Sequence, residues 1–175
     1  MHKTLLAFVV ASLIALGVTG VPAQTVDFET VPVGTTWQNP PDIPGGVVLT
    51  QNNIAMSVEE FFVNGVNTFG VARIVPGGDP FAPSGTQALH TNTINVKFDF
   101  AALPPVVLAH FEYVDLGGIK NFQINNTPLQ EIPNLNAIVS PAGFTVVVTA
   151  NNVTVESVGG TPITSLLIGG QEDSV

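Results

Sequence analysis

Apolar and polar residues alternate along several short stretches of this chain. From Ile94 to Phe100 every second residue is apolar and the residues between them are polar, which is the period of a strand with one buried face. The same alternation marks residues 144–148 and 153–155, and the apolar run 106–113 ends in it. Turn-forming pairs separate these stretches, among them Pro104-Pro105, Gly117-Gly118 and Gly159-Gly160. The pattern predicts an all-β protein, an antiparallel β-sandwich of jelly-roll type.

Two stretches leave a local choice open. Residues 57–64 fit either a helical turn or the end of a strand. Residues 145–149 form an apolar β segment without charge or proline, which would associate with other strands if it lay at a sheet edge. We expect this segment to be a central strand.

The first residues have the organisation of a secretory signal peptide. A basic start at His2 and Lys3 precedes the apolar run Leu5–Val18, and Val21-Pro22-Ala23 supplies the small residues of a cleavage site. The run is short for a membrane span, and no later stretch is long enough to anchor the chain. We therefore expect residues 1–23 to be a cleaved signal peptide and residues 24–175 to be a single secreted β-sandwich domain without a membrane anchor. A retained N-terminal anchor is the alternative.

Composition narrows the classes of partner and of chemistry. Of the 175 residues, 45% are hydrophobic and 10% are charged, so the chain buries a core and is not a disordered segment. The 13 acidic and 4 basic residues give a net charge of −9, which makes nucleic acid a poor partner. The absence of cysteine excludes disulfides, thiolate zinc sites and a cysteine nucleophile.

Several segments resemble one group of exported bacterial proteins. They are Asp27–Trp37, Gly46–Leu49, Asp115–Gly118, Asn121–Asn125 and Leu167–Glu172. In these segments the chain resembles the β-sandwich proteins that often carry a PEP-CTERM sorting tail, which are similar to galactose-binding-like jelly rolls. The resemblance implies a non-catalytic, extracellular role in binding or in a matrix. The apolar helix and basic terminus of the sorting tail do not follow Gln171, so we expect either simple secretion or a truncated chain.

Carboxylates near both chain ends form a candidate calcium site. Asp27 and Glu29 are two residues apart, so an extended backbone would place them on one face, and Glu172 and Asp173 lie at the other end of the chain. Chain ends often meet in sandwiches, and clustered carboxylates repel one another unless a cation binds them. We therefore consider these four residues as ligands of calcium, the one candidate cofactor. The alternative is that they are ordinary solvated side chains.

Two histidines and a glutamate form a second candidate metal site. His110 and Glu112 would share one face of a strand, and His90 ends an earlier strand. Such a set can hold a transition metal, although the order differs from the usual triad and ordinary surface side chains explain it better. The chain has no Gly-x-Ser-x-Gly elbow and no phosphate-binding loop before a helix. We assign no catalytic residue.

Trp37 is the candidate for ligand binding. It is the only tryptophan and precedes a proline-rich loop, so it suits a stacking platform for a sugar, with Asn39 and Asp42 beside it. It equally suits a plug at the end of the core. We predict a secreted binding or adhesion module for an extracellular glycan or surface polymer. The alternatives are a matrix or filament subunit that assembles with other copies of itself through sheet edges, and a metalloenzyme using His90, His110 and Glu112.

Overall fold

The alternating stretches form strands in two antiparallel sheets. The structure, a computed structural model, describes residues 5–7, 23–38, 46–76, 87–115, 117–150 and 152–171. In spatial order, sheet A contains β12 (Phe144–Thr149), β13 (Asn152–Ser157), β9 (Leu108–Val114), β1 (Leu5–Ala7), β7 (Gln87–Asn92), β6 (Val71–Pro76) and β2 (Thr36–Gln38). Sheet B contains β11 (Gln130–Ile132), β10 (Lys120–Ile124), β14 (Ser165–Gly170), β8 (Ile94–Asp99), β4 (Ile54–Val63) and β3 (Val47–Gln51), and β5 (Val66–Thr68) pairs with β4.

One hydrophobic core lies between the two sheets. Val96 and Phe98 of β8 are completely buried, and they share a cluster with Phe111 of β9 in the other sheet. Lys97 and Asp99 alternate with these residues on β8 and turn outward, so Lys97 is half-buried and Asp99 is exposed. The described residues contain one 3-10 turn, Leu135–Ala137, and no α-helix. The predicted all-β, antiparallel class is therefore confirmed.

No helix among these residues has the length and apolar character needed to cross a membrane.

Residues 57–64 belong to a strand and its turn, not to a helix. β4 runs to Val63 and returns as β5 from Val66, which leaves Asn64 and Gly65 as a two-residue loop. Both have positive φ, 52° and 79°, as the tight turns that suit the strand twist require. Asn-Gly is the pair that adopts this conformation at least cost, so the local sequence closes the hairpin.

The expectation of a central strand at residues 145–149 is wrong, because β12 lies at an edge of sheet A. It pairs with β13 on one side, and no strand in the described ranges pairs with its other side. Phe144 is buried, Val146 and Val148 pack against the core, and Val147 is 49% exposed. Alternation reports that one face is buried, but the number of neighbouring strands depends on backbone hydrogen bonds, which the side-chain pattern does not encode.

Strand β1 lies inside the predicted signal peptide. It sits between β7 and β9 and is antiparallel to both, with Leu6 paired to Leu89 on one side and to Tyr113 on the other. A chain from which residues 1–23 had been removed would lack this central strand. Cleavage after Ala23 and the jelly-roll connectivity both stay predictions.

A buried lysine fixes the turn between β9 and β10. Lys120 is 1% exposed, and its Nζ lies 3.0 Å from Asp115 Oδ1. The same ammonium donates to the carbonyls of Gly117 and Gly118. A buried cation needs such partners, so Asp115 and the two carbonyls stabilise Lys120 in this turn.

Candidate functional site

The end of β4 leaves sheet B and is held by two asparagine side chains. β4 pairs with β8 as far as Glu60 and with β5 from Phe61 onward. Asn121 Oδ1 accepts a hydrogen bond from the Phe62 N–H, and Asn121 Nδ2 donates one to the Phe62 carbonyl; both hydrogen bonds are 2.7 Å long. Asn95 donates from Nδ2 to the Glu60 carbonyl at 2.6 Å. Because a side-chain amide offers the same donor and acceptor as a peptide group, these asparagines act as a strand partner for the β4–β5 hairpin, residues 60–68.

A glycine on β14 makes room for this arrangement. Neighbouring strands of sheet B align one row of residues, namely Glu59, Asn95, Gly169, Asn121 and Glu131. A Cβ on Gly169 would lie 2.1 Å from Asn95 Oδ1 and 2.5 Å from the Ile94 carbonyl oxygen. Asn95 and Asn121 are 1% and 0% exposed, so the hairpin covers them. The hairpin therefore stands as a wall above the outer face of sheet B.

This wall borders a shallow groove, which we call the sheet-B groove. Its volume is about 390 Å³, and it is lined by Glu59, Glu60, Phe62, Asn67, Asn95, Gln123, Leu129 and Leu167. The aromatic and the two leucine side chains supply apolar surface, while the carboxylates and amides supply polar groups. The volume falls within the range of small-ligand sites, which combine apolar walls with a few placed polar groups.

The polar groups of the groove are rich in unused acceptors. Ser57 Oγ donates to Glu59 Oε1 at 3.0 Å, and Asn67 Nδ2 donates to Glu60 Oε2. Gln123 Nε2 donates to the Thr127 carbonyl at 2.6 Å. The second carboxylate oxygen of each glutamate and Gln123 Oε1 have no hydrogen-bond partner among the described residues. The groove thus offers acceptors to a ligand that brings donors.

A smaller depression continues the groove along the same face. It has a volume of about 180 Å³, shares Glu59 with the groove, and is also lined by Ser57, Lys97 and Asp99. Lys97 is the one basic residue in either lining. The two depressions together form a largely acidic track across the outer face of sheet B.

The structure places Trp37 in the core. Its side chain is 7% exposed and belongs to the same cluster as Phe98. Trp37 pairs with Ala72 at the end of sheet A. Thr36 and Gln38 on either side of it in β2 are exposed, so the ring of Trp37 points inward. The plug role of Trp37 is therefore observed, and its ring is not available as a stacking platform. Asn39 and Asp42 lie outside the described residues.

The candidate calcium ligands are not shown to meet. Phe28 has a φ of 60°, so the backbone is not extended here and Asp27 and Glu29 do not share a face by strand alternation. Asp27 Oδ1 accepts from Gln51 Nε2 at 2.6 Å, and Glu29 Oε1 accepts the backbone N–H of Gln87 at 3.2 Å. Glu172 and Asp173 lie outside the described residues. The two carboxylates near the start of the domain thus already cross-link neighbouring segments.

The predicted transition-metal set is not assembled. His90 is on β7 and His110 and Glu112 are on β9, with β1 between these strands. His110 Nδ1 lies 3.1 Å from Thr154 Oγ1. Within the described ranges, no group of three or more histidine and acidic side chains is positioned to bind a metal. The strand order separates what the sequence spacing suggested.

The environment of Tyr113 changes the pKa of its phenol. Its side chain is buried against Phe111, with the ring centroids 6.4 Å apart. Burial raises the pKa of the Tyr113 phenol, and the Asp115 carboxylate raises this pKa further. The phenol thus belongs to the core side of sheet A, whereas the groove lies on the outer face of sheet B.

Sequence reasoning missed the groove residues. The alternation shows that Asn95 and Gln123 face away from the core, but it does not show that β8, β14 and β10 are neighbours in sheet B. The pair Glu59-Glu60 was visible as two acids in a β segment. Only the order of β4, β8, β14 and β10 in sheet B places Glu59 on the same face as Gln123.

Comparison of the chain with protein-family models, with curated proteins and with solved structures found no match.

Proposed function

We propose that this protein is an exported binding module of jelly-roll type that holds a neutral, hydroxyl-rich ligand, such as a segment of an extracellular glycan, in the sheet-B groove. The observation that carries the proposal is the set of unused acceptors on Glu59, Glu60 and Gln123 above apolar side chains. The predicted signal peptide and the resemblance to exported β-sandwich proteins support the extracellular setting.

The chemistry of the groove favours a sugar over other small ligands. Sugar hydroxyls donate hydrogen bonds to carboxylate and amide oxygens, and hydrogen bonds to charged groups are among the stronger ones. The apolar faces of a sugar ring fit against Phe62, Leu129 and Leu167. Ligands without donors would leave the desolvated carboxylates unpaired, which is costly.

The charge of the groove selects among sugars. Glu59 and Glu60 repel an acidic sugar, and Lys97 lies in the adjoining depression. The protein carries a net charge of −9, so its long-range field opposes acidic polymers as well. We therefore expect neutral glycans to bind and uronic-acid or sulfated glycans to be excluded.

The test is retention on an array of neutral and acidic glycans, followed by calorimetry with the retained sugar. Glu59→Gln and Glu60→Gln each keep the shape of the side chain and remove its charge. Each should weaken binding several-fold to about tenfold, because glutamine still accepts a hydrogen bond but without the charge. A hydrogen bond contributes about 1.5–3 kcal/mol to a charged acceptor and about 0.5–1.5 kcal/mol to a neutral one, and 1.4 kcal/mol is about tenfold. Glu156→Gln, the same change at an exposed position of sheet A, is the matched control.

Two results would count against the proposal. One is that no neutral glycan retains the native protein. The other is that the double Glu59→Gln, Glu60→Gln variant binds the retained sugar as tightly as the native chain while the Glu156→Gln control behaves normally. Thermal unfolding of each variant shows whether the fold is intact.

A further inference from the structure

The described strands at the sheet edges differ in their capacity to pair with another chain. β2 and β11 have three residues each, and β3 is interrupted by an irregularity between Val47 and Leu49. β12 has six residues, continuous pairing with β13 and no charged side chain. Short strands and bulges are the usual protection of an edge, and β12 lacks both.

Its backbone hydrogen bonds show which groups face outward. The Val146 N–H donates to Ser140 Oγ at 2.9 Å and the Phe144 N–H donates to the Pro141 carbonyl at 3.1 Å, so both point away from β13. Backbone direction alternates along a strand, and Val148 therefore also directs its N–H and carbonyl to the outer edge. No described residue bonds to these groups of Val148.

Residues 140–141 thus cap the first half of the edge, and within the described ranges the second half is open. The open part is centred on Val148, and it lies beside the exposed Val147. An unpaired backbone N–H and carbonyl next to an apolar side chain form a template for one more strand. Capping shortens the template but does not remove it.

We propose that β12 pairs with β12 of a second copy of this chain, antiparallel and related by a two-fold axis at Val148. The two Val148 residues then exchange N–H to carbonyl hydrogen bonds, and Val147 of each copy lies opposite Thr149 of the other. This register is self-complementary, as a two-fold interface requires. It depends on sheet A alone and is independent of the sheet-B groove.

The charge distribution favours a second copy at this edge. The chain carries a net charge of −9, so two copies repel each other over most approaches. β12 contributes no charge. The aligned acidic residues are Glu156, opposite Thr145 at the capped end, and Glu112, which is two strands away and aligned with Thr149 through Asn152. Association at Val148 therefore joins two uncharged strands, with the aligned acidic residues on β13 and β9 and not on the contacting strand.

The interface is small and closed. A contact of two backbone hydrogen bonds and a few side chains buries much less area than a stable permanent interface. The dimer therefore forms only as the protein concentration rises. A two-fold contact satisfies the open edge of both copies and leaves none for a third. The expected species is a dimer, not a filament.

Sedimentation velocity of the full chain over a wide concentration range tests the proposal. The native protein should shift from monomer to dimer. Val147→Lys should weaken the dimer at least tenfold by placing two ammonium groups at the contact, whereas Val158→Lys, at a position with 51% exposure off the edge, should leave it unchanged. Val148→Pro removes the outward N–H and leaves the hydrogen bonds between β12 and β13 in place, because proline is tolerated in a strand where the N–H faces solvent. This variant should also weaken the dimer at least tenfold.

Ser140→Ala tests the cap. It frees the Val146 N–H and lengthens the open edge, so the dimer should become several-fold tighter. A native protein that stays monomeric at the highest concentration, species larger than a dimer, or a Val147→Lys variant that associates as well as Val158→Lys would each overturn the proposal. Thermal unfolding of the four variants separates a lost contact from a lost fold.

Discussion

Replacing Asn121 with leucine should detach the β4–β5 hairpin from sheet B. Leucine has the same branched arrangement of side-chain heavy atoms as asparagine, with larger methyl groups at the branch ends. It cannot donate to the Phe62 carbonyl or accept a hydrogen bond from the Phe62 N–H, which are the two 2.7 Å bonds of Asn121. Asn121 is completely buried, so the orphaned groups are shielded from water as long as the hairpin stays in place. The change is thus a test of whether one side chain substitutes for a strand.

The size of the effect follows from the number of groups left unpaired. A buried donor or acceptor without a partner costs about 1–3 kcal/mol, so the two backbone groups of Phe62 together cost roughly 2–6 kcal/mol. The hairpin limits this cost by opening, because open strands regain their hydrogen bonds to water. We therefore expect local opening of residues 60–68, with sheet A and the rest of sheet B preserved.

Hydrogen exchange measures this opening directly. A loss of about 2 kcal/mol corresponds to roughly a thirtyfold fall in protection of the Phe62 amide, since about 1.4 kcal/mol is tenfold. Amides in the centre of β8, such as that of Val96, should keep their protection. Because the hairpin carries Glu60 and Phe62 into the sheet-B groove, glycan binding should fall with the same variant.

Asn126→Leu is the matched control, because it makes the same chemical change at an exposed turn. It should leave Phe62 protection and the melting temperature close to those of the native protein. The reasoning fails if Asn121→Leu changes Phe62 protection less than threefold, or if Asn126→Leu lowers it as much.

Two further predictions concern packing and pH. Gly169→Ala should lower the free energy of unfolding by about 1–3 kcal/mol, because the new Cβ would lie 2.1 Å from Asn95 Oδ1. Gly46→Ala, whose new Cβ meets nothing within 4 Å, is the control and should have little effect. Equal stability of the two variants in chemical denaturation would contradict this prediction. Burial, with a smaller contribution from Asp115, raises the pKa of Tyr113, so the folded protein keeps the phenolic proton where the unfolded chain loses it. The free energy of unfolding should therefore fall as the pH rises above about 10, and Tyr113→Phe should remove that part of the decline; an unchanged profile would refute the assignment.

The residues of β8 show how far a local pattern reaches. Ile94, Val96 and Phe98 alternate with polar residues, and the structure buries all three. A strand has a side-chain period of two whatever its neighbours are, so the inward face can be assigned without knowing the fold. Asn64-Gly65 suits a tight hairpin turn, but residues 57–64 fitted a helical turn as well, and the structure shows the strand and its turn.

The candidate sites show where such reasoning ends. His90, His110 and Glu112 have suitable chemistry and spacing, but β1 lies between their strands and they form no metal cluster. For Trp37, exposure at a loop and burial at the end of the core were equally consistent with the residues around it. The structure buries the Trp37 side chain in the core. This burial depends on how the opposite sheet packs against β2, which the neighbouring residues do not show.

The sequence by itself determined the all-β class and the inward face of strands such as β8, because each depends on residues close together in the chain. The tertiary structure alone decided that β12 lies at an edge and that Asn95, Gly169 and Asn121 stand in one row. The physical reason is that strand order is set by hydrogen bonds between backbones that are chemically alike at every residue. Side chains select the face of a strand, whereas only the folded chain selects its neighbours.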